Sequence, residues 1–303
     1  MKAGLSTACL YPMEIENAFR QLAENGVKTA EIFVNSQCEL SDPYRGEMLA
    51  VQKEYGIDVV SVHPYTCSIE PMMLFTAYER RVTDMLDYYK RFFEYMNLFG
   101  AEFFILHGNK NQNPFPDEKY FERYLRLQET AGQFGVCVVQ ENVSRCTSKS
   151  LEFLVKMKNA LGDKAAFVLD TKQAHRSGTT PLDMVRALGG NIKHVHFSDF
   201  GAAGDCLKFG FGEYDNFTLF SELKNCGFDG SLIIELYRDS HSGAADLAEN
   251  CRSLNDFLNL GDYPGNQLSL PFVAHFGSFP ILLPGCLSKI ISPLRYLMEL
   301  KMT

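Results

Sequence analysis

Seven of the eight short apolar runs in this chain carry a histidine, aspartate or glutamate at or near their carboxyl ends. Glu31 lies in "TAEIFV" (29–34), His63 closes "DVVSVH" (58–63), His107 closes "EFFILH" (102–107) and Glu141 closes "VCVVQE" (136–141). Asp170 closes "AAFVLD" (165–170), His194 and His196 sit in "IKHVHF" (192–197) ahead of Asp199, and Glu235 lies in "SLIIEL" (231–236). Imidazoles and carboxylates of this kind ligate metals or move protons. Taken singly, each is more simply a solvated or hydrogen-bonded strand end. Brought to one place, several unpaired carboxylates would repel strongly unless a cation or shared protons relieved them.

Whether they meet depends on the elements that carry them. With "KAGLST" (2–7) the runs number eight, and they alternate with longer amphipathic segments at 13–26, 76–99, 117–134, 148–161, 181–188, 216–226 and 243–258. In the first of these, Ile15, Phe19 and Leu22 share a helical face. Strict β/α alternation favours a parallel sheet buried on both faces. Eight such units within 303 residues, with no G-x-G-x-x-G turn after the first strand, predict an α/β (β/α)₈ barrel over residues 1–260 rather than a doubly wound sheet. A barrel brings the carboxyl ends of all its strands to one mouth, where active sites lie. Glu141, Asp170, His196 and Glu235, from strands five to eight, could then surround one ion. Three carboxylates and an imidazole suit Mn²⁺ or Mg²⁺, with Co²⁺ or Zn²⁺ as alternatives.

Composition narrows the partners. A 46% hydrophobic and 22% charged chain is that of an ordered globular protein. A net charge of -8 and a pI near 5.4 disfavour a nucleic-acid partner. The nine cysteines are odd in number and include no C-x-x-C pair, a pattern of reduced thiols that predicts a cytoplasmic protein. No signal-peptide core precedes Pro12. Residues 261–303 are an apolar tail whose prolines cut it below the length of a membrane helix; it is read as an extra packing segment or a non-native sequence. Barrels of this size commonly associate through their outer helices, which leaves room for a homo-oligomer.

At these strand ends the chain resembles the sugar phosphate isomerase/epimerase family of xylose-isomerase-like barrels, to which endonuclease IV is distantly related. The resemblance spans about residues 3–258. It rests on "AEIFVNS", "VVSVHPY", "FFILHG", "VVQENV", "FVLDTKQA", "HVHFSD" and "GSLIIELY", seven motifs in order at barrel spacing. It implies metal ligation by Glu141, Asp170, His196 and Glu235. It also implies a sugar isomerase or epimerase in which Glu141 and Glu235 flank the substrate carbon and exchange its proton. A metal-polarised carbonyl acidifies the neighbouring C–H, and the metal can hold the resulting enediolate.

Further residues follow from the same resemblance. His63 and His107 match positions that ligate additional zinc ions in endonuclease IV and line the substrate pocket in the sugar enzymes; the pocket role is expected here, because the trinuclear set is incomplete. The family's histidine three residues after the strand-six aspartate is Gln173, whose amide could bond substrate hydroxyls. Lys208, beside "FGFGE", matches a glycine-containing loop. Glu31, Gln173 and Lys208 join His63 and His107 as expected contacts of a small carbohydrate substrate. Glu70, Tyr78, Arg80 and Arg81 could reach it from the segment after strand three. A keto-polyol dehydratase of the same fold is the alternative; an endonuclease IV-like phosphodiesterase and a non-catalytic sugar-binding barrel are less favoured.

Overall fold

The eight apolar runs become eight parallel strands closed on themselves in the computed structural model, which describes residues 1–260. In chain order these are β1 (Lys2–Ser6), β2 (Thr29–Phe33), β3 (Asp58–His63), β4 (Phe103–Leu106), β5 (Cys137–Glu141), β6 (Phe167–Asp170) and β7 (Ile192–Phe197). After β7 comes an antiparallel hairpin of β8 (Asp199–Gly201) and β9 (Gly204–Leu207), and β10 (Ser231–Ile234) then closes the barrel between β7 and β1. The helices are α1 (Ile15–Glu24), α2 (Tyr44–Tyr55), α3 (Glu70–Met73), α4 (Glu79–Phe99) and α5 (Asp117–Gly132). They continue with α6 (Leu151–Leu161), α7 (Thr171–Arg176), α8 (Pro181–Leu188), α9 (Asn216–Asn225) and α10 (Ala244–Asn259). The expected (β/α)₈ barrel is therefore the observed architecture.

The short helices α3 and α7 were not anticipated, nor were helix α2 and the β8–β9 hairpin. Helix α2 buries only Met48 and Val51 fully and carries Gly46, so its apolar stripe is too thin to read as a helix. The β8–β9 hairpin is short and rich in glycine, and Cys206 within it takes φ of 57°; neither strand is long enough to show a period-two pattern.

Strand alternation divides the side chains. From β4, Phe104 points to the helices and meets Tyr89 and Phe93 of α4 edge-on, with ring centroids 4.8 and 5.2 Å away. Truncating so buried a ring to alanine costs about 3–5 kcal/mol. Ile105, Val139, Ala166 and Val168 form a separate small cluster with Phe103 and Cys137, and the same alternation sends Glu141, Asp170, His194 and His196 inward above and beside it. Register sets their neighbours: Asp170 pairs with His196, His196 with Ile233, and Glu31 with Ser61.

β1 must pass close to β2 and β10. A side-chain carbon at Gly4 would lie 2.6 Å from the Thr29 carbonyl oxygen and 2.7 Å from Ile233 Cδ1, so only glycine fits. Among the described residues all eight cysteines are free, and no helix is long and apolar enough to cross a membrane. The expected apolar tail, 261–303, lies outside the described residues.

Candidate metal centre

Glu141, Asp170, His196 and Glu235 converge at the carboxyl ends of β5, β6, β7 and β10. One ligand atom from each lies within 4.8 Å of the others. His196 Nδ1 is 3.2 Å from Glu141 Oε1 and 3.7 Å from Glu235 Oε2, so both glutamates approach one imidazole nitrogen. Glu141, Asp170 and His196 are buried, whereas Glu235 keeps 16% of its side chain exposed. Solvent thus reaches the centre past Glu235 and past His107, which is 18% exposed.

Local structure aims each donor. Asp170 caps α7, its Oδ1 accepting from Gln173 N at 2.8 Å, which leaves Oδ2 turned to the centre. The Asn142 side chain holds the Asp170 backbone at both ends, accepting from its N–H at 2.7 Å and donating to its C=O at 3.0 Å. His196 is fixed from behind: its Nε2 donates to Glu31 Oε2 at 3.0 Å, freeing the Nδ1 lone pair for a cation. Glu31 in turn accepts from Ser61 at 2.7 Å and Ser6 at 3.1 Å, and lies 3.5 Å from His194 Nε2. Glu31, expected as a substrate contact, lies beneath the centre with no exposed surface.

A second cluster adjoins the first and shares Glu141. His63 Nδ1 donates to the Pro64 carbonyl at 3.1 Å, and the His63 ring stacks on Phe33. That leaves His63 Nε2 facing His107 Nε2 at 2.8 Å, with Glu141 Oε2 2.8 Å from His107 and 3.9 Å from His63. Glu141 Oε2 is buried and the His107 approach is not aligned as a hydrogen bond. A buried carboxylate oxygen without an aligned donor, beside two imidazole nitrogens that can give up a proton, fits a bound cation.

The protonation states tell the same story. Burial works against charge on Glu141, yet His107, His196 and His63 together hold its carboxyl well below the usual range. Burial also opposes charge on Glu31, and His196 and His194 outweigh it. The reciprocal effect lifts His107 through Glu141, and His196 through Glu235 and Glu31, well above the ordinary imidazole range despite their burial. Burial pushes the Asp170 carboxyl up to about 7, against the pull of Lys172. Protons on the imidazoles thus supply positive charge that the carboxylates require, and a divalent cation would supply it instead. The buried histidine and glutamate clusters could bind a metal.

The remaining expected contacts are engaged by the protein. Gln173 Oε1 accepts from Ser144 N at 3.0 Å, tying the loop after β5 to α7. Lys208 pairs with Asp246 of α10 at 2.7 Å and lies over the Phe211 ring. Glu70 is fully buried; its Oε2 accepts from Gly108 N at 2.6 Å, and Oε1 from the Tyr89 hydroxyl at 3.2 Å. Tyr78, Arg80 and Arg81 are exposed.

Lys172 and Tyr237 are additions that sequence reasoning missed. Lys172 Nζ lies 3.8 Å from Asp170 Oδ2 and 4.8 Å from the Tyr237 ring centroid. Burial pulls its pKa down, but Asp170 and Glu235 more than restore it and hold the ammonium above the ordinary lysine range. The one available signal was its position, two residues after a candidate ligand at a helix start.

The comparisons agree with the fold. The family model described as "Xylose isomerase-like TIM barrel" matches residues 19–257. Among curated proteins, the uncharacterized protein ML2432 of Mycobacterium leprae (strain TN) is 23% identical over 275 residues, covering 81% of this chain and 92% of its own. A solved L-ribulose 3-epimerase superposes with a TM-score of 0.70 at 15% identity, covering 86% of this chain and 95% of that one. The IOLI protein, solved with a bound zinc atom, superposes with a TM-score of 0.68 at 16% identity, over 87% of this chain and 100% of that one.

Proposed function

The chain belongs to the xylose isomerase-like TIM barrel family, and from that premise we propose that it is a divalent-metal-dependent isomerase or epimerase of a small carbohydrate. The observation that carries this reading is the approach of Glu141, Asp170, His196 and Glu235 to within 4.8 Å of one another at a partly open mouth. A divalent cation held by these four residues would polarise a substrate carbonyl and offset the negative charge that develops when the adjacent carbon loses its proton. Mn²⁺ or Mg²⁺ suits the oxygen-rich set.

The chain's own groups do the proton work. Glu141 and Glu235 both approach His196 Nδ1, at 3.2 and 3.7 Å; with a substrate carbon held between them, one carboxylate would take the proton beside the carbonyl while the other returns one from the opposite face. Return to the same face of the neighbouring carbon would give isomerisation instead. Asp170, with one oxygen occupied by Gln173 N, serves as a ligand rather than a base. Glu31 keeps His196 in the tautomer that presents Nδ1.

Mn²⁺-loaded protein incubated with a panel of ketoses and aldoses in D₂O should exchange the proton beside the carbonyl of at least one sugar. Glu141→Gln and Glu235→Gln should each lower that exchange by about 10²-fold or more. Absence of exchange with every sugar, together with unaltered metal binding in both variants, would overturn the reading.

One observation favours a second reading. His63 and His107 share Glu141 with the first cluster, an arrangement that could hold a second ion, as the resemblance to endonuclease IV implies. Two ions per chain by elemental analysis, with cleavage of an abasic-site duplex, would favour a phosphodiesterase. One ion per chain favours the sugar enzyme.

A further inference from the structure

Lys172 is a buried lysine whose ammonium has no hydrogen-bonding partner among the described residues. It is 5% exposed, and its closest charged neighbour, Asp170 Oδ2, is 3.8 Å away, beyond hydrogen-bond reach. Glu235, Cys206 and Tyr237 are the other groups that face it. Arg176, one turn further along α7, is different. Its Nε and Nη2 grip Asp205 at 2.5 and 2.9 Å, and its Nη1 donates to the Tyr237 hydroxyl at 2.8 Å. Of the two cations on this helix, one is fully engaged and the other keeps its donors free beside the centre. An ammonium with unused donors on a largely buried side chain beside three carboxylates is placed to bond a ligand that enters the mouth.

Charge gives the donors a purpose. Glu141, Asp170 and Glu235 carry three negative charges, and a divalent cation leaves one of them uncancelled. Lys172 offsets it, so a substrate turning anionic beside these carboxylates would meet less repulsion.

Resting on the function proposed above, we propose that Lys172 is a substrate-contacting residue whose ammonium donates to the substrate oxygen that becomes negatively charged when the α-hydroxycarbonyl compound loses its proton. The contact lies between the metal ligands and Tyr237, on the α7 side of the mouth. Its charge, rather than its bulk, is what the site uses.

The test compares binding rather than turnover. Acetohydroxamate, a planar mimic of the deprotonated substrate that binds as its anion, and hydroxyacetone, a neutral α-hydroxyketone, are titrated calorimetrically into Mn²⁺-loaded wild type and Lys172→Met. Loss of a charge-assisted hydrogen bond should weaken the hydroxamate by about tenfold or more and leave hydroxyacetone within about threefold, with Mn²⁺ bound as tightly as before or tighter. Lys172→Gln, which keeps a donor and loses the charge, repeats the comparison should the methionine variant fail to fold. Hydroxamate affinity indifferent to both substitutions, or equal weakening of the two ligands, would overturn the inference alone. Failure of the wild type to bind Mn²⁺ would overturn the proposed function and the inference with it.

Discussion

At the scale of single residues, the centre is shaped as much by what stands behind the ligands as by the ligands. Glu31 has no exposure and touches the centre only through His196 Nε2. Glu31→Gln is therefore expected to weaken Mn²⁺ binding by about 10–100-fold, measured calorimetrically, while all four ligands stay in place; unchanged affinity would show that packing alone orients the imidazole. Protons compete with metal at the same atoms. Asp170 titrates at about 7, and His107 and His196 hold protons above the ordinary imidazole range, so at pH 6 a cation must displace protons that are fewer at pH 8. Metal affinity should rise through this window, by about tenfold per pH unit for each displaced proton. The thermal shift on adding Mn²⁺ should be larger at pH 8 than at pH 6. The metal-free protein runs the other way at Asp170. Its folded pKa is raised above the unfolded value, so the stability this group contributes is present at low pH and lost as pH rises through 7. Equal Mn²⁺ shifts at both pH values would contradict the assignment of these residues as ligands.

Elements explain how the ligands hold their aim. The turn after β4 depends on Gly108, which has φ of 82° and whose added side-chain carbon would lie 1.9 Å from the Tyr120 hydroxyl. Gly56, at the end of α2, has a similar φ of 62° with open space around it. Gly56→Ala should cost about 1 kcal/mol of backbone strain, whereas Gly108→Ala adds a clash in a packed turn and should cost about 2–4 kcal/mol. Urea unfolding of the two variants measures the difference; equal costs would mean that Tyr120 moves freely. Glu70, at the start of α3, holds the same turn. The segment carrying it was legible as a mouth loop, but its role as the acceptor of Gly108 N was not, because that bond joins residues 38 apart. The strands were the most legible elements, since apolar β-branched runs carry their own signal. Helix α2 and the β8–β9 hairpin were not, because their stability comes from packing and a glycine turn rather than from a sequence period.

Across the whole molecule, all eight barrel strands and the helix that packs on β1 fall within residues 1–260. We expect a chain ending at Leu260 to unfold cooperatively and to bind Mn²⁺ as the full chain does; loss of either would show that residues 261–303 complete the fold or the site. By itself the sequence determined the barrel and the four candidate ligands, because short apolar strands alternating with amphipathic helices admit few closed arrangements, and strand ends must meet at one mouth. Sequence did not determine which polar residues look inward at a ligand and which are occupied by the protein. Gln173 is bonded to Ser144, Lys208 to Asp246, and Glu31 to His196, while Lys172, unremarkable in sequence, stands with free donors beside Asp170. Those outcomes turn on partners far away along the chain, and hydrogen bonding and charge at 3 to 4 Å are fixed only once tertiary structure has brought the partners together.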